Sequence, residues 1–399
     1  MIQLIKYEWK KAFLKKTIVI LMVIFIIIDL IKIVDIYHKK SYLISAGTVW
    51  REAYWDMYKD YNGNITDDKI QSLDDMYQKL GEEVIEMTAS REMDLEKYMT
   101  GTVYSDYNFL DRYYITPFRY FALYQNRAGE ICQRAADAAS NAKNTGNMEE
   151  YRRNARIYHI FKDRKIKDFS YLENIELFLD FSFSDILVLL LVLYGLLAVY
   201  GSERDGNMES LLLTNKRGGK SVQVAKVAGA GLFSIMVSTI FSMVDYLGFA
   251  FVAGSFEGLK MPVYAIAFLG RSPLGINIFQ YCLLDMAVRA FGFLIIGIVM
   301  LNISYIFKNV LASFFVGSVF CVCISIIYEN CCHMPFLWLK ILNPFSLVDN
   351  IHIFENTEFV SICGYPFPGW QIAIVIGGIY LVLLIGLALV VSKNNEYCR

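Results

Sequence analysis

The amino-acid sequence predicts an all-α integral membrane protein with six transmembrane helices and a large, mainly helical extracellular domain between helices 1 and 2. Of its 399 residues, 56% are hydrophobic and only 19% are charged, whereas soluble domains carry about 25% charged residues. Six apolar stretches are long enough to cross a hydrocarbon core of about 30 Å as helices. Residues 38–182 hold 20 Lys/Arg and 24 Asp/Glu, and the other 254 residues hold only 33 charges. This composition excludes a single soluble domain, and a net charge of −1 does not indicate a nucleic-acid partner.

The six predicted transmembrane helices are, in order, residues 17–37, 183–200, 222–254, 279–307, 310–328 and 370–391. The first is interrupted toward its outer end by Asp29, Lys32 and Asp35, and a signal peptide is the alternative interpretation of this short apolar run. No small-residue cleavage site follows it, so we interpret it as an uncleaved anchor.

Lysines and arginines in the short loops predict the orientation, because they are enriched on the cytoplasmic side. With the N-terminus inside, only Lys260, Arg271 and Lys340 fall in short outer loops. Twelve basic residues then lie in the cytoplasm: Lys6, Lys10, Lys11, Lys15, Lys16, Arg204, Lys216, Arg217, Lys220, Lys308, Lys393 and Arg399. Both termini of this multi-pass cell-membrane protein, including the tail 392–399, are therefore predicted to be cytoplasmic, and the loop 329–369 extracellular.

Residues 1–16 predict an amphipathic cytoplasmic helix that places Ile2, Ile5, Trp9, Ala12 and Phe13 near one face, with lysines around it. Such a helix can lie in the headgroup layer and contact membrane lipid. The alternative is a plain basic flank of the first transmembrane helix. Both interpretations place the segment in the cytoplasm beside the membrane.

The insert, residues 38–182, is predicted to be a helical domain. It contains one proline, Pro117, and its apolar and charged residues alternate at helical spacing over 71–99 and 126–161. Its single cysteine, Cys132, cannot form an internal disulfide, so helix packing must stabilise the domain, against itself or a partner. We favour packing positions over a recognition surface for its many tyrosines.

The cytoplasmic loop 201–221 predicts a short amphipathic helix that exposes Met208, Leu211 and Leu212 and is followed by basic residues. An apolar face on a short cytoplasmic helix is typical of a segment that fills a groove on another protein. A helix that lies on the membrane surface is the alternative.

At this loop the chain resembles the membrane subunit, or permease, of a type 2 ABC exporter. The family pattern is a glutamate, a glycine, paired leucines, an arginine and a lysine at the start of the third span. The corresponding residues are Glu203, Gly206, Leu211, Leu212, Arg217 and Lys226. Thr214 and Asn215 stand where the family often has a proline. The segments LIKYEWKKAF near the N-terminus and LNPFSLVDNI at 342–351 also resemble the family, whereas the insert does not.

The resemblance implies an exporter in which a separate ABC subunit binds ATP and Mg, with this chain binding no cofactor. It further implies a second permease copy or a sister permease as partner, and an amphipathic or peptide-like substrate. Residues 214–221, TNKRGGKS, have Thr214 where a phosphate-binding loop requires glycine, so this chain itself is not expected to be an enzyme. The alternative function is a non-transporting sensor or assembly protein whose extracellular domain binds a ligand or a partner.

Charged residues inside the predicted spans are expensive in lipid and mark functional sites. The candidates are Asp29, Lys32, Asp245, Asp285 and Arg289. Spacings of three and four allow Asp29 to pair with Lys32 and Asp285 with Arg289 on one helix face. Two interpretations follow: self-neutralised pairs, or a polar substrate path in which Asp245 is the unpaired member.

No catalytic or metal-binding motif is apparent, and the remaining candidate concerns the cysteines of the loop 329–369. Cys331 or Cys332 could form a disulfide with Cys363, because these thiols would face an oxidising exterior.

Overall fold

The computed structural model describes residues 2–12, 15–41, 43, 47–90, 99–205, 220–254, 257–307, 309–332, 334 and 336–397. In this part of the chain, six helices are long and apolar enough to cross a membrane, which confirms the predicted all-α membrane protein. Their number and order follow the six apolar runs. Each forms because a run of about 20 apolar residues can satisfy its backbone hydrogen bonds in lipid only within a helix.

The chain begins with α1 (Ile2–Ala12), which packs against the third span, and continues into the first span, α2 (Lys16–Lys40). The other five spans are α9 (Phe183–Asp205), α10 (Lys220–Ala253), α11 (Ile278–Ile306), α12 (Val310–Cys332) and α15 (Gly369–Tyr397). α11 starts with a capping box in which Asn277 and Gln280 satisfy each other's backbone N–H groups.

The spans differ in how much of their surface the rest of the chain covers. About two thirds of the most apolar stretch of α9 and of α11 is buried, and half of that of α10. The corresponding shares for α2, α12 and α15 are 17%, 22% and 22%. α9, α10 and α11 therefore form the centre of the bundle, and the other three spans lie around it with apolar faces directed outward.

The insert is helical, as predicted, and its described residues include four long and two short helices. They are α3 (Thr48–Tyr61), α4 (Asp67–Ser90), α5 (Val103–Leu110), α6 (Thr116–Asn144), α7 (Met148–Phe161) and α8 (Glu173–Leu179). A π-helical turn, Asp111–Ile115, joins α5 to α6, and the short strands β1 (Gly63–Asn64) and β2 (Asp168–Phe169) pair antiparallel.

Many tyrosines of the insert lie in its core. Tyr54 and Tyr114 are almost fully buried, and their rings lie 5.2 Å apart between centroids. Tyr58, Tyr113 and Tyr171 surround Tyr54 with ring centroids 5.3 to 5.8 Å away. The interpretation of these tyrosines as packing residues is therefore confirmed.

The insert is attached to two other segments of its own chain. One is the connection between α10 and α11, with two 3₁₀ turns at Val263–Ala265 and Ala267–Leu269. The other precedes α15 and contains the hairpin of β3 (Phe359–Ile362) and β4 (Tyr365–Pro368). This end of the bundle, where the spans adjoin the insert, is called the insert side below.

The segment that precedes this hairpin folds back onto the spans. It contains α13 (Leu337–Leu342), a 3₁₀ turn at Pro344–Leu347 and α14 (Ile351–Phe354). A Cβ atom on Gly292 of α11 would lie only 2.9 Å from the backbone of Leu347 and Val348. Glycine at position 292 thus allows this segment to pack directly against the backbone of a central span.

Candidate functional site in the transmembrane helices

Five charged side chains from four spans meet inside the bundle toward its insert side, and we call them the Arg289 cluster. They are Asp29 of α2, Asp185 of α9, Asp245 of α10, and Asp285 and Arg289 of α11. None is more than 9% exposed, and Asp29 is completely buried. Buried charges in apolar helices are costly unless they are paired, so this cluster is the strongest candidate for a functional site among the described residues.

The guanidinium of Arg289 lies among three carboxylates. Its Nη1 atom is 3.5 Å from Oδ1 of Asp185 and 3.9 Å from Oδ2 of Asp245. Its Nη2 atom is 3.7 Å from Oδ2 of Asp285. These distances are longer than direct hydrogen bonds, which measure about 2.7–3.2 Å. Arg289 therefore attracts two neighbouring helices, α9 and α10, and a carboxylate of its own helix without being locked to one partner.

The predicted pairing is correct for one pair and wrong for the other. Asp285 and Arg289 do form an ion pair within α11. Lys32, however, does not neutralise Asp29, because its Nζ atom lies 3.0 Å from Oδ2 of Asp35. Asp35 also binds Lys39, at 2.6 Å, and the three side chains form a partly exposed group at the end of α2.

The partners of Asp245 and Asp29 also differ from the expected ones. In the substrate-path interpretation Asp245 is the unpaired member, yet Ser184 donates a hydrogen bond of 2.6 Å to its Oδ2 atom, and Arg289 is nearby. Asp29 lies within hydrogen-bonding reach of the carboxyl group of Asp245, and no other donor to its oxygens is found among the described residues. Asp29 is therefore the carboxyl group of the cluster that forms no ion pair with Arg289.

The charge balance of the cluster determines what it can do chemically. Four carboxyl groups accompany one guanidinium, so full ionisation would leave three uncompensated negative charges in an apolar interior. Such an excess is not stable at low dielectric constant. The cluster is therefore suited to hold additional positive charge, as protons on its carboxyl groups or as the cationic group of a bound molecule.

The segment 342–351 covers the insert side of this cluster. Asn350, which is almost fully buried, donates its Nδ2–H to the carbonyl oxygen of Asp285 over 3.1 Å. Tyr328 of α12 donates to the carbonyl oxygen of Asp349 over 2.5 Å. Burial raises the pKa of Asp349 above its usual range. The segment is thus bonded to α11 and α12 directly beside the cluster.

A second polar group lies at the opposite end of the central helices. Tyr200 of α9 donates to Oε1 of Gln223 on α10 over 2.6 Å, and Gln223 donates to the carbonyl oxygen of Ala388 on α15 over 3.2 Å. Lys226, predicted to take part in coupling, is buried here with its Nζ atom 4.3 Å from the centroid of the Tyr200 ring. In this structure, Lys226 contributes to packing between spans rather than to an accessible surface.

The other predicted coupling residues are not part of the described geometry. Glu203 belongs to the last turn of α9, and its side chain lies outside the described atoms. Gly206, Met208, Leu211, Leu212 and Arg217 lie outside the described residues, so the short amphipathic helix stays a prediction.

The cysteines predicted to form a disulfide are free thiols in this structure. Cys331, Cys332 and Cys363 all have unbonded Sγ atoms, and Cys332 donates to the carbonyl oxygen of Glu329 over 3.0 Å. The disulfide from Cys331 or Cys332 to Cys363 is therefore not formed here.

Sequence reasoning missed Asp185 and Ser184, which both belong to the site. Asp185 is the third residue of the apolar stretch predicted at 183–200. The rule that a carboxylate within a span marks a functional position would have included it. Charged residues are common at the very end of an apolar stretch, so the position of Asp185 gives only a weak signal.

No family model, curated protein or solved structure matches this chain. Its class therefore rests on its own fold and site. The six apolar helices indicate an all-α, multi-pass membrane protein, and a charged cluster joins four of its spans.

Proposed function

We propose that this chain is the transmembrane permease subunit of an ATP-driven ABC exporter, with ATP hydrolysed by a separate subunit. The observation that carries the proposal is the Arg289 cluster, which puts polar groups from four spans at one internal site. A protein that only anchors a domain has no need of such a cluster, and charges of this kind mark transport pathways. The order of the loop motifs, from Glu203 through Leu211 and Leu212 to Lys226, supports the ABC class.

In this proposal, the two ends of the central helices have different tasks. The loop after α9 docks into the ATPase, and the Arg289 cluster lies in the path by which the substrate leaves. Fifteen residues of α9 separate Asp185 from Tyr200, and nineteen residues of α10 separate Lys226 from Asp245. At 1.5 Å per residue these are distances of about 22 and 28 Å. A movement at the loop can therefore reach the cluster through two continuous helices.

An amphipathic or peptide-like substrate fits this arrangement best. The excess of carboxyl groups attracts a cationic group, and the surrounding apolar helices accommodate the remainder of the molecule. Transport of such a substrate would require a second permease, which could be a copy of this chain or a sister chain, because six spans form only part of a pathway.

The docking claim is tested by substituting both Leu211 and Leu212 with aspartate and purifying the protein with its associated subunits. We expect the double variant to insert into the membrane but to lose the co-purifying P-loop ATPase, because charge removes the apolar face. Thr214→Asp is the matched control, since it adds charge to the same loop outside that face. Retention of the ATPase by the double variant, or its absence from the wild-type protein, would contradict the proposal.

A non-transporting sensor is the second candidate, and one observation favours it. The insert borders a cavity of about 660 Å³, which is within the usual range for small-molecule sites. The sensor hypothesis predicts a stable protein without an ATPase, so the same purification discriminates between the two functions.

A further inference from the structure

A cavity of about 660 Å³ lies where α6 of the insert meets α8 and the connection between α10 and α11. Its inner wall is aromatic. Phe121, Phe169 and Tyr171 are buried there, and Tyr120 is half-buried beside them. Aromatic side chains of this kind bury apolar surface and also offer polar edges. The cavity therefore suits a molecule with an apolar body rather than a fully hydrated ion.

Arginines line the exposed side of the same cavity. Arg119 and Arg127 both project from α6, eight residues apart, and both are exposed. Arg119 forms an ion pair of 2.8 Å with Asp74. No ion pair is found for Arg127 within the part of the chain that the structure describes. Its guanidinium lies 5.5 Å from the centroid of the Tyr120 ring, which keeps it at the mouth of the cavity.

Two carboxyl groups lie on the wall opposite α6. Glu173 and Glu176 of α8 border the cavity, and the hydroxyl of Tyr171 donates to Glu173. The cavity thus has a positive side on α6 and a negative side on α8. An acidic group that enters it is attracted to Arg127 and Arg119 and repelled from Glu176.

The cavity lies next to the ends of the spans. α8 ends at Leu179, and the apolar helix α9 begins four residues later at Phe183. The cavity therefore lies near the insert-side end of the apolar helix α9.

We propose that this cavity binds an amphiphile with an acidic headgroup. The phosphate or carboxylate contacts Arg127 and Arg119, because charged hydrogen bonds from guanidinium groups to such anions are strong and directional. The apolar part lies against Tyr120, Phe121 and Phe169. The same chemistry is found in an anionic lipid of the adjacent leaflet and in a soluble amphiphile. This inference is independent of the export proposal.

The test measures binding of dihexanoyl phosphatidic acid to the full-length protein in phosphatidylcholine nanodiscs, with empty nanodiscs as the blank. We expect Arg127→Gln to weaken binding about tenfold, the effect of losing one charged hydrogen bond. Arg134→Gln is the matched control, because Arg134 is an exposed arginine of the same helix that does not line the cavity. Glu176→Gln should leave affinity unchanged or raise it.

A second variant covers the case in which Arg127→Gln does not fold. Leu123 lines the cavity and is 45% exposed, so Leu123→Trp should narrow it and reduce binding as well. Nanodiscs that contain phosphatidylglycerol distinguish the two sources. If a leaflet lipid is the natural occupant, phosphatidylglycerol competes and the apparent affinity for the probe falls in these discs. If a soluble amphiphile is the natural occupant, the apparent affinity stays the same.

Three results would overturn the inference. The first is equal binding by the wild-type protein and Arg127→Gln. The second is equal affinity for the uncharged analogue dihexanoylglycerol, which would show that the arginines recognise no acidic group. The third is weaker binding by Glu176→Gln, which would place the ligand's charged group on the opposite wall.

Discussion

Arg289 is the residue on which the charge balance of the buried cluster depends. It is the only cation within reach of Asp185, Asp245 and Asp285 among the described side chains. Such a residue stabilises the fold mainly because it prevents repulsion among the buried carboxylates, and less because of its own attraction to them. Removing one partner from a buried ionic group leaves an uncompensated charge, at a cost of about 3–5 kcal/mol.

We therefore predict that Arg289→Met strongly lowers the thermal stability of the purified protein. The matched control is Lys32→Met, because Lys32 is 40% exposed and pairs with the partly exposed Asp35. Exposed ion pairs contribute only about 0–1 kcal/mol, so this variant should unfold close to the wild-type temperature. Both are measured by thermal unfolding in detergent. If Lys32→Met were as destabilising as Arg289→Met, the assignment of Lys32 to the surface group would be wrong.

A tyrosine of the insert core is expected to respond to alkaline pH. Burial, followed by the hydrogen bond to Glu257, raises the pKa of Tyr58 to about 12. The neutral form is favoured in the folded state, so its contribution to stability is complete below the unfolded pKa of about 10. It is lost as the pH rises from about 10 through 12.

We predict that the insert loses stability over this pH interval and that Tyr58→Phe reduces the loss, because phenylalanine has no proton to release. Tyrosinate absorbance and helical circular dichroism, followed together from pH 9 to 12.5, measure the effect. Tyr104→Phe is the control, since Tyr104 is 65% exposed. An identical alkaline transition in the wild-type protein and Tyr58→Phe would contradict this assignment.

Arginines on α7 and just after it attach the insert to the connection between α10 and α11 and to the β3–β4 hairpin. Arg164, only 6% exposed, donates to the carbonyl oxygens of Ser272 and Leu274 over 2.8 and 2.9 Å. Its guanidinium also lies 4.8 Å from the centroid of the Tyr264 ring. On α7, Arg152 and Arg156 donate to carbonyl oxygens of the β3–β4 hairpin over 2.9 and 2.7 Å.

The connection between α10 and α11 should therefore be held less tightly by the insert when Arg164 is replaced. We predict that Arg164→Met speeds amide hydrogen exchange in residues 263–276, because two charged hydrogen bonds of about 1.5–3 kcal/mol each are lost. Arg153→Met is the matched control, as Arg153 is an exposed arginine of the same region. Unchanged exchange in 263–276 would show that other contacts suffice to hold this connection.

The elements differ in how well the sequence predicts them. The spans were predictable because a membrane requires about 20 apolar residues in each helix, and the insert because its residues follow the helical period. The contacts between helices were not predictable from the sequence. Periodicity assigns Asp29 and Lys32 to one helix face but does not show that Asp29 turns toward α10. The bonds from Arg164 to backbone carbonyl oxygens likewise leave no pattern in the sequence, because every residue has a carbonyl group.

On the scale of the whole molecule, the Arg289 cluster is closed in this structure. Ser184 is 1% exposed and its hydroxyl is bonded to Asp245, and the segment 342–351 covers the insert side. A transport path must expose such a site at some stage of its cycle. If the proposed function is correct, the closed bundle is therefore one of at least two states, and the population of the other state depends on nucleotide at the partner ATPase.

We predict that a cysteine at position 184 reports this change. The variant Ser184→Cys, in a chain whose native cysteines are replaced by serine, should react slowly with a water-soluble maleimide in the resting complex. Its reaction should accelerate at least tenfold when the complex is trapped with ATP and vanadate, because opening of the spans exposes the site to water. Ile362→Cys is the control, since Ile362 on the β3–β4 hairpin is already 44% exposed and should react rapidly in both conditions. Equal rates at position 184 with and without trapped nucleotide would show that the cluster stays closed during the cycle, and it would then serve the stability of the bundle rather than transport.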